Sequence, residues 1–132
     1  MNPFSEDIKN MIEAESSLGL VALDNLFIGR KPSKPNDCVT IYDTDSITNS
    51  TLSQGEEYYT DAVQIRVRNT DYLTGWALIN AIMLSLHGRA QETWSDTLYM
   101  VIITTSGPAM LTWDDNNRVI FIANLQCKRR KL

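Results

Sequence analysis

Chemistry in this 132-residue chain would have to rest on carboxylates and one imidazole. Three acidic pairs stand out: Asp43 with Asp45, Glu56 with Glu57, and Asp114 with Asp115. Paired carboxylates can bind magnesium or work as acid and base. Each pair falls in a predicted loop or turn, where such residues suit the backbone without any catalytic role. A Ser-His or Cys-His nucleophile would need His87, the single histidine. His87 precedes Gly88 at a predicted helix end, where an imidazole can bond free carbonyls or favour the dipole. No HExxH, CxxC, GxGxxG or phosphate-binding loop is present. Cys38 and Cys127 are too few and too far apart for a zinc knuckle or a disulfide scaffold. No catalytic, cofactor or metal residue is therefore assigned, and a structural role is expected rather than catalysis.

Recognition chemistry is better represented. Gln64, Arg66 and Arg68 alternate with Val63, Ile65 and Val67, so the two sets occupy opposite faces of one predicted strand. Two parallel guanidinium groups can grip carboxylates of a neighbouring subunit, and such pairs set register more than affinity. The chain has 12 basic and 16 acidic residues, for a net charge of −4. Four of the basic residues sit in Lys128-Arg129-Arg130-Lys131-Leu132, which is expected to be a solvated tail following a single domain over residues 1–127. An acidic body argues against wrapping nucleic acid, so no specific nucleic-acid binding is expected.

The elements that position these residues follow from periodicity. Phe4, Ile8, Met11 and Ile12 share one helical face, with Asn2 or Ser5 as candidate cap and Gly19 as stop. Cys38–Tyr42 reads as a short strand, and Thr60–Arg68 as the clearest one. Between them, Asp43 to Glu57 reads as one long polar loop, of the kind usually tied to function. A helix is predicted from Asp71 to His87. It is apolar nearly all round, including Tyr72 and Trp76, so it needs cover from the first helix or from a second subunit. Leu98–Thr105, Ala109–Trp113 and Arg118–Gln126 read as a three-stranded meander, with turns at Ser106-Gly107-Pro108 and Asp114-Asp115-Asn116-Asn117. The expected fold is α+β: a mainly antiparallel sheet of four to five strands with two helices on one face. No apolar run approaches the about 20 residues that span a bilayer, and the N-terminus lacks signal-peptide character, so synthesis in the cytoplasm and no membrane partner are expected.

Several segments together resemble a known family. They are Phe27-Ile28-Gly29-Arg30-Lys31-Pro32-Ser33-Lys34-Pro35, Asp37-Cys38-Val39-Thr40-Ile41-Tyr42-Asp43-Thr44, Val63-Gln64-Ile65-Arg66-Val67-Arg68 and Leu86-His87-Gly88. Their order is similar to that in the minor capsid proteins that act as tail terminators of long-tailed phages, over roughly residues 3–127. The resemblance implies a virion protein at the tail–neck junction, made in the bacterial host. It implies a ring of six copies that caps the tail tube, stops its polymerisation and meets the head connector. Its expected partners are itself, the tail tube protein and the connector protein, without a cofactor. Interface candidates are then Gln64, Arg66, Arg68, Tyr72, Trp76, Asp43, Asp45, Glu56 and Glu57. Another neck protein, such as a head-completion or connector protein, is the nearest alternative; a small metal-dependent enzyme is the next.

Overall fold

The computed structural model describes residues 1–48 and 58–132. Helix α1 spans Phe4–Ala14 and turns Phe4, Ile8, Met11 and Ile12 into the core. Neither Asn2 nor Ser5 caps it. Pro3 occupies the cap position, and the free N–H of Ser5 is satisfied from a distant strand by Asp43 (3.1 Å to Oδ1). Gly19 ends a short 3₁₀ turn, Ser16–Leu18, that follows the helix.

Six strands form one sheet: β1 (Leu26–Ile28), β2 (Cys38–Thr48), β3 (Tyr59–Asn69), β4 (Ala90–Trp94), β5 (Thr97–Trp113) and β6 (Val119–Lys131), in the order β1-β2-β3-β6-β5-β4. Only β1 runs parallel to its neighbour, so the sheet is mixed. The expected four to five strands fall short for identifiable reasons. β1 has three residues, too few for a periodic signal. β4 reads Ala-Gln-Glu-Thr-Trp and shows no clear apolar alternation. In the other direction, Ser106-Gly107-Pro108 is not a turn. It lies within β5 as an irregularity in the pairing with β6, joining two expected strands into one of 17 residues. Gly107 has φ +82°, and a Cβ there would stand 2.7 Å from the Ile122 carbonyl oxygen, so the close approach requires glycine.

Residues 43–48, expected to open a loop, continue β2 past a pairing irregularity at Asp43/Asp45. The rest of that expected loop, including Glu56 and Glu57, lies outside the described residues. Residues 128–131, expected as a solvated tail, are the end of β6 and pair with β5, with Lys128 and Arg129 also pairing with β3.

Helix α2 spans Tyr72–Leu86. Asp71 caps it by accepting from the Thr74 N–H (2.9 Å) and hydroxyl (2.6 Å), bonds that hold its carboxyl below the usual range. Both helices pack on one sheet face. Val63, Ile65 and Val67 of β3 meet Ile79, Ile82, Met83 and Leu86 of α2 and the apolar face of α1 in one continuous core. Among the described residues, no helix lies on the opposite sheet face.

Candidate assembly surface

The uncovered side of α2 exposes large apolar side chains. Leu73 is 73% exposed and Leu84 84%. α1 therefore does not supply the cover that the sequence demands. At the N-terminal end of α2, Tyr72 stacks on Trp113 of β5 (centroids 6.3 Å apart, 22° between planes). Tyr72 and Trp76 both rest on the buried ring of Phe121, at 5.1 and 5.6 Å. Tyr72, Trp76 and Trp113 thus form an aromatic platform with a fixed base and a solvent-facing top. Met110 and Leu111 extend it along β5 and are also exposed. Rigid aromatic surface of this kind is enriched at protein interfaces.

The platform adjoins an open sheet edge. β4 pairs with β5 only as far as Val101, and Arg89 adds a bond to Ile102. His87 ends the covered stretch: its Nδ1 accepts from the Thr104 N–H (2.9 Å), pinning the end of α2 to β5. From Thr105 to Trp113 no strand pairs with this edge among the described residues. An unpaired edge is a template for another chain.

On the helix-free face, Gln64 and Arg66 belong to a cross-strand polar row. Arg66 Nε donates to Gln64 Oε1 (2.7 Å), and its guanidinium lies 5.3 Å from the centre of the Tyr42 ring. Gln64 donates to Asn124 Oδ1 (3.3 Å), and Asn124 donates to Ser106 Oγ (2.6 Å). The row links β2, β3, β6 and β5. Arg68 does not join Arg66 as a second gripping guanidinium. It is buried and donates to the carbonyls of Pro35 (2.6 Å) and Asn36 (3.1 Å). Arg118 donates to the Ser33 carbonyl (2.7 Å) beside it. Both arginines anchor the proline-bearing segment 32–36, whose backbone offers carbonyls and has no sheet partner among the described residues.

The remaining acidic candidates separate. Asp43 Oδ2 accepts the Ser5 hydroxyl (2.5 Å), so this carboxylate is committed to the start of α1. Asp45 accepts from the next backbone N–H, that of Ser46 (2.8 Å), and lines a cavity of about 280 Å³ with Asp43, Asp61 and Arg129. Asp114 organises the β5–β6 turn by accepting from the Asn116 and Arg118 N–H groups and from Arg118 Nε (2.7 Å). Burial works against its charge, but these bonds outweigh it and keep its carboxyl low. No group of three metal-ligating side chains occurs among the described residues.

One buried assembly was not anticipated. Arg129 is 4% exposed and bonds Asp61 through Nε, with Nη1 donating to the Asn2 carbonyl (2.8 Å) and the Tyr99 hydroxyl (3.0 Å). Tyr99 donates in turn to Asp7 of α1. The network fastens the N-terminus and α1 to β3, β5 and β6. The alternation Phe121, Ala123, Leu125, Cys127 extends to residue 129 and is the signal that would have found it.

Comparison with known proteins agrees with this architecture. Residues 11–131 match the family model described as bacteriophage tail terminator protein. No curated protein matches the sequence. Among solved structures, the fold is similar to a chain of the virion of a native gene transfer agent particle, with a TM-score of 0.70 and 11% identity over 97% of this chain and 95% of that one. At that identity the likeness shows the fold, which is shared over nearly the full length of both chains. The family match covers most of the sequence, and the chain belongs to the bacteriophage tail terminator protein family, structural proteins of the phage virion.

Proposed function

We propose that this protein caps the tail tube as a ring, the six-membered ring that the family resemblance implies, stops tube polymerisation and joins the tail to the head connector. The observation that carries this reading is the family match over residues 11–131. The surface supports it: an aromatic platform, an exposed apolar helix face and an unpaired strand edge lie side by side, and each gains by being covered. Tyr72 and Trp76 are the platform residues we assign to contacts within the tail, and Gln64 and Arg66 those we assign to contacts between copies. Arg68 and Asp43 act inside the fold.

The reading is tested with purified components. The chain, added to tube protein that is polymerising, should stop elongation and appear as a density at one tube end. Unchanged tube length with no bound density would count against terminator activity and favour a connector role.

A further inference from the structure

The loop over residues 19–25 is built to hold an aliphatic knob in solvent. Leu23 is 88% exposed and Val21 52%. Leu23 has φ +67°, a left-handed conformation unfavourable for leucine. The loop is nevertheless tightly bonded. Val21 N–H donates to Asn25 Oδ1 (2.7 Å), Ala22 N–H to Glu13 Oε2 (2.8 Å), Asn25 Nδ2 to the Gly19 carbonyl (3.1 Å) and Leu23 N–H to the Leu26 carbonyl (2.9 Å). A strained leucine fixed outward contributes nothing to this chain's own core. Strain maintained in this way points to a contact with another molecule. The knob is also acidic: residues 13–28 contain Glu13, Glu15 and Asp24 and no lysine or arginine.

Apart from the cleft between Leu84 and Pro108, whose lining holds no lysine or arginine to attract an acidic knob, two apolar surfaces could receive it. The aromatic platform is flanked in sequence by Asp71, Asp114 and Asp115, with Asp114 paired to Arg118, and these carboxylates would not attract an acidic knob. The second surface is a groove of about 180 Å³ on the helix-free sheet face, lined by Val101 and Ile103 of β5 and Gln126 and Lys128 of β6. Val101 and Ile103 are half exposed. The charged side chains that β3 and β6 place on this face are Arg66, Arg68, Lys128 and Arg130, all cations. No carboxylate pairs with Lys128 or Arg130 among the described residues; Lys128 lies over the Tyr58 ring at 5.5 Å.

We propose that Val21 and Leu23 of one copy seat in the Val101–Ile103 groove of the next copy, with Asp24 and Glu13 facing Lys128 and Arg130. Knob and groove cannot meet within one chain. The loop sits at the β1 edge against α1, and the groove lies over β3, β6 and β5 on the other sheet face. Joining two different surfaces head to tail gives a ring when the rotation closes. This docking rests on the ring reading and assigns its subunit contact, leaving the aromatic platform free for the proteins stacked above or below.

The test is a paired-cysteine variant, Leu23→Cys with Val101→Cys, in which both new thiols are exposed and the two native ones are buried. Oxidation should give a ladder of covalent oligomers that ends at a closed ring, while each single variant gives dimers at most. In parallel, Lys128→Glu with Arg130→Glu should weaken self-association about tenfold, and Asp24→Lys added to that variant should restore part of it. Wild-type protein that sediments as a ring while the double cysteine forms no ladder, or while the charge variant assembles normally, overturns the docking and leaves the ring intact. A chain that stays monomeric both alone and on tail tubes overturns the ring reading itself.

Discussion

Arg129 shows how a residue's neighbours in sequence can misstate its surroundings. It sits in a run of four cations, yet it is the buried centre of a network with Asp61, Tyr99 and Asp7. Lys128 and Arg130 point to the opposite face. Composition registers the charge of the run, whereas a period of two decides which member is inside. Removing a buried partner strands the charge it served. Arg129→Met should therefore destabilise the fold by about 3–5 kcal/mol, measured by urea unfolding. A loss below about 1 kcal/mol would show that the pair is solvated. The same region governs the alkaline limit. Burial pushes the Cys127 thiol up to about 12, and burial together with the bond to Asp7 raises the Tyr99 phenol. Above the ordinary thiol value of 9.0, the unfolded chain releases a proton that the folded chain keeps. Stability should hold through neutral pH and fall between about pH 9 and 12. Thiol reagents at pH 8 should likewise leave Cys38 and Cys127 untouched until the protein is denatured.

At the level of elements, α2 and β3 are the ones most readily read from sequence. α2 has Asp71 as cap and Gly88 as stop, and β3 has a clean alternation over Val63 to Arg68. Elements without a local signature were not visible. β1 is too short for periodicity, and β5 passes through Ser106-Gly107-Pro108 because its pairing with β6 outweighs the turn propensity of those residues. Helix caps follow the same division: Asp71 bonds within its own turn, while α1 draws its capping carboxylate from Asp43, 38 residues away from Ser5. Gly75 sets how closely α2 approaches the sheet. A Cβ there would stand 2.9 Å from the Phe121 ring and 3.0 Å from Asn69 Cβ. Alanine improves helix propensity by about 1 kcal/mol, but overpacking costs about 1–3 kcal/mol. Phe121 is held by Tyr72 and Trp76 and cannot swing away, so Gly75→Ala should lower stability by about 1–2 kcal/mol in thermal unfolding. An increase in stability would mean that α2 lifts freely from the sheet.

For the whole molecule, the decisive feature is that an all-apolar helix is half covered by its own chain. The need for further cover was legible in the sequence of residues 71–87. Where the uncovered side would lie was not, because that depends on α1 reaching only one flank and on β5 extending past β4. Trp76 and Leu84 project from that side. Replacing both, Trp76→Glu with Leu84→Glu, should cost about 0.5 kcal/mol or less at the exposed Leu84 and about 1–3 kcal/mol at Trp76, which packs on Phe121, and leave the chain folded. The same variant should fail to restore tails of normal length in a phage lacking the wild-type gene. Normal complementation would remove the platform from the tail contacts.

The central claim, that this chain ends tail-tube growth, is tested most directly by the distribution of tail lengths in lysates of a phage with this gene interrupted. Electron micrographs should show tubes of excessive, unregulated length, free of heads. Tails of normal, uniform length lying beside filled heads would contradict termination and assign the chain to head–tail joining alone.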